Sequence, residues 1–118
     1  MNTGALGKVY HDGEVIFQQG DVGDCMYVVQ EGKVEIFQVK EGRESRLRVL
    51  SDGDFFGEMA IFEKERRSAS VRALGDVRVL TVDKKTLLSR IHQDPTMAFR
   101  LLETMSRRIR ELSGRVER

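Results

Sequence analysis

Glu58 and Arg67, nine positions apart and each set among small residues, are the side chains in this sequence best suited to hold a charged ligand. Around them the chain reads Phe56-Gly57-Glu58-Met59-Ala60-Ile61-Phe62-Glu63-Lys64-Glu65-Arg66-Arg67-Ser68-Ala69-Ser70-Val71. Gly57 removes a Cβ where a ligand approaches the main chain. Met59-Ala60-Ile61 fit one helical turn, whose first N–H groups lack internal partners and so can face an anion. Arg67 can return to the same place and offer a planar fork of donors to phosphate oxygens, with the Ser68 hydroxyl beside it. Glu58, acceptor-only when ionised, can take a hydrogen bond from a sugar hydroxyl while its main-chain N–H faces the phosphate. The plainer alternative is an Arg67–Glu58 pair serving stability alone, and the two roles are compatible.

These residues need a scaffold, and the sequence on either side supplies strand periodicity from Val15 to Val82. Apolar and polar residues alternate in Lys33-Val34-Glu35-Ile36-Phe37, in Arg46-Leu47-Arg48-Val49 and in Val77-Arg78-Val79-Leu80. Turn signals separate the runs at His11-Asp12-Gly13, Gln19-Gly20-Asp21, Glu31-Gly32, Lys40-Glu41-Gly42-Arg43 and Ser51-Asp52-Gly53-Asp54. Short strands with tight glycine turns predict a small antiparallel β-barrel or jelly roll. Gly20, Gly23 and Gly32 are read as turn glycines supplying positive φ, and Tyr27, Phe37, Phe55 and Phe56 as core. After Val82 the period becomes helical. Asp83 reads as the N-cap of a helix burying Leu87, Leu88 and Ile91, and Asp94-Pro95 opens a second, long helix. Its stripe of Leu101, Met105, Ile109, Leu112 and Val116 has the width of a coiled-coil seam. Arg100, Arg107, Arg110 and Arg115 interleave with Glu103, Glu111 and Glu117, as on a solvated helix face.

The stretch around Gly57 and Arg67 resembles the phosphate-binding cassette of the cyclic-nucleotide-binding domain family. Gly57, Glu58, Ala60, Arg67, Ala69 and Val71 fall on the family pattern at its spacing, and Gly20-Asp21-Val22-Gly23 through Gly32-Lys33-Val34 is similar to its glycine-punctuated hairpin. The resemblance covers about residues 10 to 118. It implies a cyclic nucleotide held by Gly57, Glu58, Met59, Ala60, Arg67, Ser68 and Ala69. Arg67-Ser68-Ala69 is similar to the bacterial catabolite-activator-type regulators, which implies cAMP rather than cGMP. Matching Met105-Ser106-Arg107-Arg108-Ile109 to their long helix puts Arg108 and Ser113 at base-contacting positions. Arg66 departs from the family, standing where many members have proline.

Composition fits this reading. The 118 residues suit one domain: a tail over 1–9, a barrel over 10–82 with the cassette at 56–71, and helices over 83–118. A net charge of +1 gives no global pull toward nucleic acid or membrane. Cys25, His11 and His92 offer no metal or haem ligand set, so no cofactor is expected. Nor is an enzyme, since no nucleophile is paired with a base. The N-terminus lacks a signal sequence and no segment is long and apolar enough for a membrane span, so cytoplasmic residence is expected. The chain stops near the end of the expected dimer helix, so a homodimeric sensor with no DNA-reading domain in this chain is expected. The alternative is a ligand-free dimerisation or protein-interaction domain of the same fold.

Overall fold

Alternating β-branched and charged residues favour pleated strands over helix, and the computed structural model forms six strands among its described residues. Those residues are 7–62 and 66–116, side chains excepted at Ile109 and at 111–116. The strands are β1 (Lys8–Tyr10), β2 (Val15–Phe17), β3 (Cys25–Lys40), β4 (Arg43–Ser51), β5 (Phe55–Phe56) and β6 (Ser70–Asp83). A short helix α1 (Met59–Phe62) lies between β5 and β6, and α2 (Lys84–Gln93) and α3 (Thr96–Val116) end the chain. Every pairing is antiparallel, in the order β1-β6-β3-β4, with β2 also on β6 and β5 also on β3. The fold class is therefore as expected, a mainly antiparallel β-structure followed by helices. The sheet opens at Lys8 rather than at residue 10.

Glu31-Gly32 is not a turn. It lies within β3, where the register with β6 shifts on both sides of Glu31. Gly32 has φ 110°, and a Cβ there would stand 2.6 Å from the Asp76 carbonyl oxygen. Glycine thus lets β3 kink against β6 without ending, as a bulge does, so one strand serves the whole roll. The reversal comes later, at Glu41 (φ 52°) and Gly42 (φ 78°), the two positive values that a tight two-residue hairpin turn requires.

Val29, Val34, Leu50, Phe56, Val71, Ala73, Val77 and Val79 form the core, with Tyr10, Ile16, Phe17, Tyr27 and Ile36 packed against it. Strand β4 departs from its alternation: Leu47 and Val49 are 50% and 39% exposed. It ends the strand order, and its register with β3 slips between Ile36 and Phe37. Glu35, by contrast, is only 6% exposed. Its carboxylate accepts from Arg46 Nε at 2.6 Å and Arg72 Nε at 2.7 Å. Arg72 also donates to both Glu44 oxygens, at 2.9 and 3.2 Å, and lies over the Phe37 ring at 4.1 Å. A buried acid is tolerated because each oxygen has a cationic donor.

Contacts divide the chain into two compact units, Met1–Lys84 and Lys85–Arg118. In the second, the Asp94 carboxylate accepts from the Thr96 N–H at 3.2 Å and from the Thr96 hydroxyl, capping α3 as its position predicts. Asp83, expected as the N-cap of α2, is the last residue of β6, opposite Cys25, and stands directly before α2. Leu87 is buried as expected, while its neighbour Leu88 is exposed. Among the described residues no helix is long and apolar enough to cross a membrane.

Candidate functional site

Strand β5 delivers the cassette. Phe56 pairs with Tyr27 and Phe55 with Val28, so the chain leaves the sheet beside β3. Gly57 follows at φ 75°, and a Cβ there would lie 2.7 Å from Arg67 Nη1. Both facts demand glycine. Glu58, just before helix α1, and Ala60 within it are buried, while Met59 is exposed. The Ala60 N–H donates to Gly57 O at 3.3 Å and the Ile61 N–H to Glu58 O at 3.0 Å. This corrects the expectation at Ala60, whose N–H has a partner within the turn. Glu63, Lys64 and Glu65 of the cassette lie outside the described residues.

Beyond them the chain returns along the Gly20–Gly23 loop. Val22 bridges to Arg66, the Arg67 N–H donates to Asp21 O at 2.7 Å, and the Gly20 N–H donates to Arg67 O at 2.8 Å. Arg66 Nη1 also donates to Gly20 O at 2.8 Å, a tie that proline could not make.

The Arg67 side chain turns inward and is 7% exposed. Nη1 donates to Gly57 O and Nη2 to Cys25 O, each at 2.9 Å, and Nη2 is 3.9 Å from the Cys25 sulfur. The guanidinium carbon lies 4.2 Å from the Phe17 ring centre and 5.7 Å from that of Tyr27. Phe17, Tyr27 and Phe56 form one aromatic cluster, with centroids 5.2 to 5.9 Å apart. A Cβ on Gly23 would fall 2.3 Å from the guanidinium carbon. Unlike Gly20 and Gly32, Gly23 does not have the positive φ expected of it. It is the spot where Arg67 lies against bare main chain. Two of the Arg67 donors are thus met by the carbonyls of Gly57 and Cys25. Burial, and then a hydrogen bond with Cys25, pushes the Tyr27 hydroxyl above its ordinary range, so it stays neutral beside the guanidinium.

Past Arg67, Ser68 is exposed and its carbonyl accepts from Gln38 Nε2 at 3.0 Å. Ala69 and Ser70 are buried, and Ser70 Oγ accepts from the Gln19 N–H at 2.8 Å. The fold thus brings Arg67 onto Gly57, with Glu58 and the start of α1 following Gly57 in the chain and Ser68 and Ala69 following Arg67. Arg108 and Ser113 are on α3, in the other unit. Arg108 is half-buried, and the Ser113 side chain lies outside the described residues. The sequence reading gave Phe17 and Gln38 no role at the site, and it took Gln19 and Gly23 only as turn residues. A clue existed for Gly23 alone, which sits three residues after Gly20 in a single short loop.

Chemically, Arg67 is a planar cation with five N–H donors, held in place by the Gly57 and Cys25 carbonyls. Glu58, 8% exposed, directly follows Gly57, whose carbonyl accepts from Arg67.

A family model described as the cyclic nucleotide-binding domain matches residues 7–94. The cyclic AMP receptor protein of Thermus thermophilus is 37% identical over 105 residues, 88% of this chain and 49% of that protein. The crystal structure of the Thermus thermophilus catabolite activator protein superposes with a TM-score of 0.83 at 35% identity, over 93% of this chain and 52% of that one. The EAL enzyme Bd1971 superposes in its cAMP-bound form with a TM-score of 0.67 at 38% identity, over 88% of this chain and 28% of that one. Its cGMP-bound form gives 0.68 at 37%, over 92% and 29%. The chain spans about half the length of the curated relatives it matches.

Proposed function

Because this chain belongs to the cyclic nucleotide-binding domain family, we propose that it is a regulatory module, not an enzyme, that binds a cyclic nucleotide at the cassette. The observation that carries this reading is the convergence of Gly57, Glu58 and Arg67, with Arg67 Nη1 on the Gly57 carbonyl at 2.9 Å. The remaining Arg67 donors and the Ser68 hydroxyl hold the cyclic phosphate, with Met59, Ala60 and Ala69 shaping the loop around it. The Glu58 carboxylate accepts from the ribose 2′-hydroxyl. Ser68 after the arginine favours cAMP over cGMP, and one neighbour, the EAL enzyme Bd1971, has both a cAMP-bound and a cGMP-bound form. The family resemblance assigns base contacts to Arg108 and Ser113, and α3 pairs with a second copy of itself. The module works in the cytoplasm and needs no cofactor.

Titration calorimetry with cAMP and cGMP tests this. Wild type should bind, and Arg67→Ala should lose ~2–5 kcal/mol of binding, because a charge is left without its desolvated partner. An unchanged dissociation constant would remove Arg67 from the phosphate. The alternative, a ligand-free interaction domain of the same fold, is favoured by one observation: both Arg67 Nη atoms donate to main-chain carbonyls, as in an arginine that serves stability. A wild type that binds neither nucleotide would establish it.

A further inference from the structure

Strand β3 outruns its pairing with β6, which stops at Phe37 and Ser70, while its pairing with β4 continues through Gln38, Val39 and Lys40. The tip of this hairpin is joined to the cassette by two glutamines. Gln38 Nε2 donates to the Ser68 carbonyl at 3.0 Å. Gln19 Oε1 accepts from the Val39 N–H at 2.9 Å, while the Gln19 N–H donates to the buried Ser70 hydroxyl at 2.8 Å. Residues 68 to 70, directly after Arg67, are thereby held from the hairpin side at both ends. An outward position on a two-stranded ribbon makes no demand for glutamine. A carboxamide aimed at a carbonyl does.

We infer that Gln38 is a positioning residue of the cassette, fixing the Ser68 carbonyl and through it linking phosphate recognition to the β3–β4 hairpin. The inference rests on the reading that Arg67 and Ser68 hold a cyclic phosphate. Fixing that carbonyl sets the peptide plane after Ser68, and so where the Ser68 hydroxyl stands relative to an exocyclic phosphate oxygen. Misplacing a contacting group by a fraction of an ångström weakens one phosphate oxygen more than the other. Linkage is reciprocal, so bound nucleotide steadies the hairpin in turn.

The test titrates wild type, Gln38→Met and Gln38→Lys with cAMP and with the Rp and Sp phosphorothioate analogues, in which sulfur replaces one or the other exocyclic oxygen. Methionine keeps the reach and loses the donor, while lysine keeps a donor. Gln38→Met should bind cAMP ~3–10-fold more weakly, the effect of one hydrogen bond. Its ratio of Rp to Sp affinities should move, its melting midpoint should hold, and Gln38→Lys should recover most of the loss. Wild-type affinities in Gln38→Met overturn the inference. So does a uniform loss with the Rp to Sp ratio intact, since that marks general loosening. Should Gln38→Met fail to fold, Gln19→Leu cuts the neighbouring tie to Val39 and must shift the same ratio. A wild type that binds none of the three ligands refutes the cyclic-nucleotide reading itself, and this inference with it.

Discussion

At Gly23 one hydrogen in place of a methyl group decides where Arg67 can lie. The atoms a Cβ would strike belong to the guanidinium, the far end of a flexible side chain, so Gly23→Ala should fold with Arg67 driven from its slot beside Phe17. With its bonds to Gly57 O and Cys25 O gone, nucleotide binding should weaken by ~1–3 kcal/mol, about 5- to 150-fold. Calorimetry on the folded variant checks this, and an unchanged affinity would mean that the slot does not prepare Arg67 for ligand. Glu58 makes a separate case. Glu58→Gln should cost the ribose nucleotide ~1.5–3 kcal/mol, the worth of a hydrogen bond to a charged group, and cost its 2′-deoxy analogue much less. Equal losses for both would end the sugar role.

Between elements, the Glu35 network joins β3 to β4 through Arg46 and to β6 through Arg72. Hydrogen bonds from Arg46 and then Arg72 hold the Glu35 carboxyl below its ordinary range. A lowered folded value means the stabilisation is full above the unfolded value, ~4.3, and fades as pH falls through the folded one. Glu35→Gln should therefore lower stability at pH 7 by ~1–3 kcal/mol, since two guanidinium groups lose their acceptor. The gap to wild type should narrow as melts are run toward pH 3. A gap of the same size at both pH values would mean that the carboxylate charge contributes nothing. Elsewhere, local chemistry misled. Glu31-Gly32 has the composition of a turn, yet the tertiary approach of Asp76 and Val77 makes it a bulge inside one long strand.

For the whole molecule the open matter is association. On α3, Leu101 is buried and Met105 half-buried, while Phe99 and Leu102 are exposed. The rest of the expected seam, Ile109, Leu112 and Val116, lies outside the described side chains. If α3 pairs with a second copy, sedimentation should show a dimer that Ile109→Asp dissociates. Nucleotide should tighten it by ~1–3 kcal/mol, the usual size of such coupling. A wild type that stays monomeric at high concentration, with or without nucleotide, would sink the dimer while leaving the cassette reading intact.

Periodicity, turn chemistry and the spacing of Gly57, Glu58 and Arg67 were determined locally, by steric preference, burial and the donor geometry of each side chain. They therefore fixed the order of strands before helices, and they picked out Gly57 and Arg67, which the fold brings into contact. What the sequence by itself could not decide is which distant main chain each group would meet. Arg67 lies against Gly23 and Phe17, Glu35 sits between two arginines, and Gln38 reaches Ser68, all across separations of 11 to 50 residues. Such partners follow from strand register and from where a bulge bends β3. Register is a property of the closed sheet, since a slip of one residue would turn every side chain to the opposite face.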